Sequence, residues 1–186
     1  MSQDAAIWQL TVASANALTG ARFSSVAVNG AVNALVEGLD GPFLRELAGM
    51  SRSARGEDIR DMLENALADV GVTPPMSVDE ANIIRLRVMA IEALLGRTSV
   101  RSLTSWAHDV IGHEGTDAAQ HIVMLDDDLD LDLAQSGAAA EIDARGTIET
   151  FLAESKHLVG RFVAAPERTS RAVQAPSPEP LTAAED

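Results

Sequence analysis

Three of the chain's four histidines fall in one short stretch and stand among carboxylates, in the set His108, Asp109, His113, Glu114, Asp117 and His121. Neutral imidazoles and carboxylates together bind zinc, manganese or iron. One function this stretch suggests is therefore a metal-dependent hydrolase using His108, Asp109, His113 and His121. In a continuous helix Asp109 and His113 would share a face at i,i+4, and Asp117 would extend it. Gly112 and Gly115 argue against that register, because both fall where the helix would have to continue. The order of a zincin is missing too, since His113–Glu114 is followed by Gly115, Thr116 and Asp117, with no second histidine three residues after the glutamate.

Two further motifs fail on spacing. His108–Asp109 has the form of the adjacent pair used by metal phosphohydrolases, but no histidine precedes it to supply the additional ligand. Downstream, Asp128, Asp130 and Asp132 alternate as the first ligands of an EF-hand loop do. Such a loop takes glycine at its sixth position and a bidentate glutamate at its twelfth, and those positions hold Leu133 and Ala139. What remains is a dense run, Asp126, Asp127, Asp128, Asp130 and Asp132. Exposed like charges repel by roughly a few tenths of a kcal/mol per neighbouring pair, and a cationic ion or partner relieves that repulsion. With Glu114 and Asp117, these five aspartates form the expected partner-binding surface.

Other chemistries have less support. The absence of cysteine removes disulfides, thiol nucleophiles and thiolate metal sites. There is no Gly-x-Ser-x-Gly elbow, no phosphate loop with its lysine and no dinucleotide fingerprint. No cofactor is expected. Carboxylate pairs occur by chance among 28 acidic residues, so none singles itself out as an acid/base site. Arg52, Arg55 and Arg161 are isolated basic points, and Arg85 and Arg87 are expected at the wet edge of a helix or paired with carboxylates.

Charge is distributed unevenly. The net charge is −14, yet residues 102–144 contain 10 acidic side chains and not one Lys or Arg. Such a field repels phosphate backbones and anionic lipid and attracts cationic surfaces. The expected partner is a basic protein, not nucleic acid and not a membrane. No run of apolar residues is long enough for a membrane span, and Met1 is not followed by a basic segment and an apolar stretch, so a cytoplasmic location is the expectation.

The elements that must position these residues read as helices. The composition is 46% hydrophobic but only 3% aromatic, which makes Leu, Val, Ile, Ala and Met the core and favours close helix–helix packing. Apolar positions at helical spacing run from Asp4 to Leu18 and from Ser24 to Leu39, where Val28, Val32, Leu35, Val36 and Leu39 form the expected face and an extended alternative stays open. A short helix follows Pro42 through Leu47, and another runs from Glu57 to Val70. Ser77-x-x-Glu80 is a capping box, with Met76 placed as the outer half of a hydrophobic staple. It opens a helix to Leu95 that is apolar over more than half its circumference, and is therefore expected at the centre. Thr98 or Ser99 caps a helix carrying Trp106 on its apolar stripe. Thr116 caps the next one, whose Leu–Asp alternation from Asp126 to Leu133 fits either a frayed helix end or a strand. A last helix is expected from Ala138 to Val163.

The expectation is thus an all-α, irregular or orthogonal bundle of about 6–8 helices over residues 1–164, followed by a disordered Pro/Ser/acidic tail over 165–186. For function, the leading expectation is a non-enzymatic interaction module that binds a basic partner, with the charge character of immunity, antitoxin or adaptor proteins. The alternatives are the metal-dependent hydrolase and a homo-oligomeric structural or assembly protein.

Overall fold

The computed structural model describes the backbone of residues 1–132 and 137–156, and the side chains of residues 1–129 and 144–156. Over these residues the protein is all-helical, with eight α-helices, one 3₁₀ turn and no strand. The helices are α1 (Gln3–Leu18), α2 (Ser24–Val36), α3 (Pro42–Gly49), α4 (Gly56–Asp69), α5 (Val78–Leu94), α6 (Val100–Val110), α7 (Gln120–Asp132) and α8 (Gly137–Glu154). The expected tail over 165–186, and the expected last helix beyond residue 156, lie outside the described residues. None of the described helices is long and apolar enough to cross a membrane.

Two apolar clusters make up the interior. Helices α1–α4 enclose the first, around Ile7, Leu10, Leu44, Leu47, Leu63 and Leu67. Helices α5–α8 enclose the second, around Leu86, Leu103, Ile122, Val123, Ile148 and Phe151. Complete burial of a side chain of this size stabilises the fold by about 1.5–3 kcal/mol. Helix α5 serves both clusters: Ala81 and Ile84 face the first, Ile83, Leu86 and Ala90 the second. Neighbouring residues on a helix point about 100° apart, so a helix apolar on more than one side can join two cores. That is the central role its pattern predicts. Asn82, between these faces, is buried with its side-chain oxygen unpaired among the described residues.

Helix α2 is helical as one reading had it; of its expected face Val28 and Leu39 are buried and Leu35 half-buried, but Val32 and Val36 are not. Ala27, Val28, Gly30, Ala31 and Ala34 point inward, while Val32 is exposed and Val36 is 77% exposed. On the buried side α1 approaches closely. A Cβ on Gly30 would lie 3.1 Å from Leu10 Cδ2 and 3.2 Å from the Leu10 amide nitrogen. Only small residues fit at Gly30, and Val32 and Val36 turn outward.

At α5 the cap works in a modified form. Ser77 Oγ accepts from the Glu80 amide at 3.1 Å, and Glu80 reaches back to the Met76 amide at 2.8 Å. Met76 itself is exposed and does not staple the helix. Ser99 caps α6 by accepting from the Ser102 amide at 3.0 Å. Arg85 and Arg87 are half-buried, and each links α5 to a neighbouring helix. Arg85 lies over the Trp106 ring at 4.9 Å, tying α5 to α6. Arg87 donates to the Leu152 carbonyl at 2.6 Å and to Ser155 Oγ, which covers a carbonyl that the end of α8 leaves open. Burial lowers the pKa of both guanidinium groups.

Candidate functional site

The chemistry-bearing residues collect where α6 packs against α7. On α6, Arg101, Thr104 and His108 are three and four residues apart and so share one face. On α7 the buried stripe begins at Ala119 in the 3₁₀ turn (Asp117–Ala119) and continues through Ile122, Val123 and Leu125. The same stripe then reaches Asp126. Helical spacing therefore carries one carboxylate of the aspartate run inward, where its side chain is only 8% exposed.

Asp126 is met by three partners. Thr104 Oγ1 donates to Asp126 Oδ1 at 2.7 Å. His108 Nδ1 lies 3.2 Å from Oδ2, and Arg101 Nη1 lies 3.7 Å from Oδ1. Burial is the largest single influence on this carboxyl and opposes its charged form. The Thr104 hydroxyl, His108 and the Arg101 charge together outweigh it and hold the pKa below the ordinary carboxylate value. Desolvation loses because the carboxylate sits shallowly, under His108 and Arg101 side chains that are themselves 39% and 45% exposed. In a neutral His108 ring, a hydrogen bond donated to Asp126 Oδ2 places the proton on Nδ1 and leaves the Nε2 lone pair free.

The segment between α6 and α7 brings a second histidine to the same place. Gly112 has φ +66°, and a Cβ on Gly115 would fall 2.4 Å from Ile111 Cγ2 and 2.7 Å from the Ile111 carbonyl. Both positions therefore need glycine, and the helix ends here as the glycine spacing suggests. Gln120 Nε2 fastens the turn, donating to the Gly112 and Gly115 carbonyls at 3.1 and 3.2 Å. His113 consequently lies against α7, with Nε2 3.5 Å from Asp127 Oδ2. Its ring meets that of His108 edge-on, with centroids 5.0 Å apart. Asp127 Oδ1 is 4.0 Å from His108 Nδ1. One donor atom each from His108, His113 and Asp127 can be chosen so that all three lie within 4.8 Å of one another.

The sequence-derived candidates are thus divided. Of the hydrolase set His108, Asp109, His113 and His121, the two residues brought together are His108 and His113, while Asp109 and His121 are exposed and outside the group. Of the partner-binding set, Asp126 is buried and internally paired, whereas Glu114, Asp117, Asp127 and Asp128 are exposed. The backbone at Asp130 and Asp132 is helical, and their side chains lie outside the described residues. Sequence reasoning missed Thr104 and Arg101 as partners of Asp126. The signal was present: extending the Ala119, Ile122, Val123 stripe by one turn lands on Asp126, and a buried carboxylate needs donors nearby.

Fold and site together define an all-helical protein with an acidic α6–α7 face built around one buried carboxylate and a histidine pair. No protein-family model matches the chain, and no curated protein or solved structure matches it either.

Proposed function

We propose that the protein is a non-enzymatic interaction module whose α6–α7 face engages a basic protein surface. The observation that carries this reading is the exposure of Asp109, Glu114, Asp117, Asp127 and Asp128 in a segment with no Lys or Arg between residues 102 and 144. Nothing within that segment's own sequence neutralises these charges. Met124 is 57% exposed on α7, flanked one turn away by Asp127 and Asp128. An apolar side chain with a charged surround suits an interface in which carboxylates steer the encounter and the thioether packs.

The test is capture at low salt with the full chain as bait, beside a variant carrying Asp109→Asn, Glu114→Gln, Asp117→Asn and Asp128→Asn. The captured protein is then purified and titrated against both. The expected result is a basic partner whose affinity falls about tenfold or more in the variant and falls again as salt rises. A partner bound equally by both baits, or insensitive to salt, overturns the reading.

A homo-oligomer is the second reading, favoured by one observation. Val32 and Val36 lie four residues apart on α2, share one face and are both exposed. It predicts a concentration-dependent molar mass by light scattering that Val36→Glu abolishes.

A further inference from the structure

The geometry points to a binding site for one divalent transition-metal ion of the zinc type, formed by His108, His113 and Asp127. This goes beyond partner binding and stands or falls separately from it. Two imidazoles and one carboxylate are a borderline nitrogen and oxygen donor set, which suits Zn²⁺, Co²⁺, Ni²⁺ or Cu²⁺ and discriminates against Ca²⁺ and Mg²⁺, which take oxygen donors.

The distances are compatible with closure on an ion. Zinc–nitrogen and zinc–oxygen bonds of about 2.0–2.2 Å place tetrahedral ligand atoms about 3.3 Å apart. The three donors already lie within 4.8 Å of one another. His108, His113 and Asp127 are 39%, 54% and 50% exposed, so small side-chain rotations can bring them together without moving α6 or α7.

Two features make this more than three neighbouring side chains. The first is the outer support. Asp126, buried and held by Thr104, lies 3.2 Å from the Nδ1 of His108; with His108 ligating through Nε2, that contact orients the imidazole and raises its basicity. The second is the turn, in which Gln120 and two required glycines set His113 opposite a residue fourteen positions away in the chain. A bound cation also relieves the repulsion between Asp127 and its exposed neighbour Asp128. Three protein ligands leave a coordination position open to water.

The experiment is calorimetric titration of the chelator-treated full-length chain with Zn²⁺ near neutral pH, in excess Mg²⁺ and Ca²⁺. One equivalent is expected to bind. Affinity should fall about tenfold or more in His108→Ala, His113→Ala and Asp127→Asn, and about ten- to hundredfold in Asp126→Asn, whose carboxylate acts through His108. His121→Ala should bind as the unaltered chain does. Imidazole ¹⁵N spectra supply a readout that does not depend on affinity: the ring nitrogens of His108 and His113 shift on adding Zn²⁺, and those of His121 do not. Circular dichroism of each variant separates a lost ligand from a lost fold. Absence of saturable binding, displacement by Mg²⁺ or Ca²⁺, or unchanged affinity in the His108→Ala/His113→Ala double variant overturns the proposal.

Discussion

On one side of α5, helices α1–α4 bury alanine, leucine and isoleucine, and their buried polar groups are neutral. Thr11, for example, returns its hydroxyl to the Ile7 carbonyl of its own helix at 3.0 Å. On the other side, α6–α8 bury a similar apolar cluster, and there the polar links between helices include a buried carboxylate. Thr104 of α6 reaches Asp126 of α7, Arg87 of α5 reaches the end of α8, and Arg85 stacks on Trp106. The first region also carries polar links between helices, from Asn33 to Gln9, from the Leu44 amide to Asp69 and from Arg60 to the Ala17 carbonyl. These are part-buried, however, and its tight α1–α2 approach at Gly30 is a matter of shape. The second is fixed partly by charge and hydrogen bonding, and exposed histidines and aspartates stand over those links. Its candidate site residues His108 and Asp126 are held by the same contacts that hold its helices.

The strongest challenge to this division is whether the two regions unfold as one. Leu63→Ala in the first and Leu103→Ala in the second each remove a fully buried side chain, and each is expected to cost about 2–5 kcal/mol. Trp8 packs against the first cluster and Trp106 against the second, so each reports on one side. In urea, with Trp106→Phe or Trp8→Phe isolating one fluorophore, both reporters should shift together for either truncation, because α5 belongs to both cores. A shift confined to the nearer tryptophan would make the regions independent folding units.

Next in size is Asp126. Asp126→Ala removes the carboxylate that accepts from Thr104 and faces Arg101 and His108, at an expected cost of about 1–3 kcal/mol in urea denaturation. The pH dependence carries a sign. Because the folded-state pKa is depressed, the unfolded chain takes up this proton first as pH falls. The contribution is complete above the ordinary carboxylate value of 3.8 and is lost as pH drops through the lower folded value. Stability of the parent should therefore fall more steeply than that of Asp126→Asn across this acid range. Parallel curves would remove Asp126 as a source of stability.

The helical class, the central place of α5 and the break at Gly112 were legible because periodicity, capping and glycine punctuation are local signals. The face of α2 was legible only in part. Periodicity weighs Val32 and Val36 by hydrophobicity, whereas the helix buries Ala27, Ala31 and Ala34 beside Val28, on the side where α1 approaches closely at Gly30. The run from Asp126 to Leu133 read two ways for a related reason. Alternation suggested a strand, but Ile122, Val123 and Leu125 are already committed to a helical stripe that continues through Asp126. The meeting of His113 with Asp127 depends on how the 111–119 segment folds back, and no pattern in the sequence specifies that path.

A smaller effect tests how much the links from α5 contribute. Arg85 over Trp106 is a partly exposed cation–π contact, and Arg85→Met, which keeps the alkyl packing, should cost about 0.5–1 kcal/mol in the same denaturation assay. The loss should disappear in a Trp106→Leu background, where the ring is gone. An equal loss in both backgrounds would assign the effect to something other than the ring.

The smallest effect sharpens the contrast within α7 itself. Asp126, Asp127 and Asp128 are consecutive, so each points about 100° from the one before. The first turns into the fold and the other two toward solvent. Their chemistry is identical and their surroundings are not, which makes the trio an internal control for the claim that position, not residue type, decides an aspartate's role. Asp127→Asn with Asp128→Asn, measured in chelator-treated buffer, should change stability by no more than about 0.5 kcal/mol. The change should lean toward stabilisation at low salt, because two like charges are removed from an acidic surface, and should shrink as salt rises. A loss comparable to that of Asp126→Asn would mean that the exposed aspartates hold the helix in place. The acidic face would then be part of the scaffold, and its availability to a partner or an ion would need another source of charge.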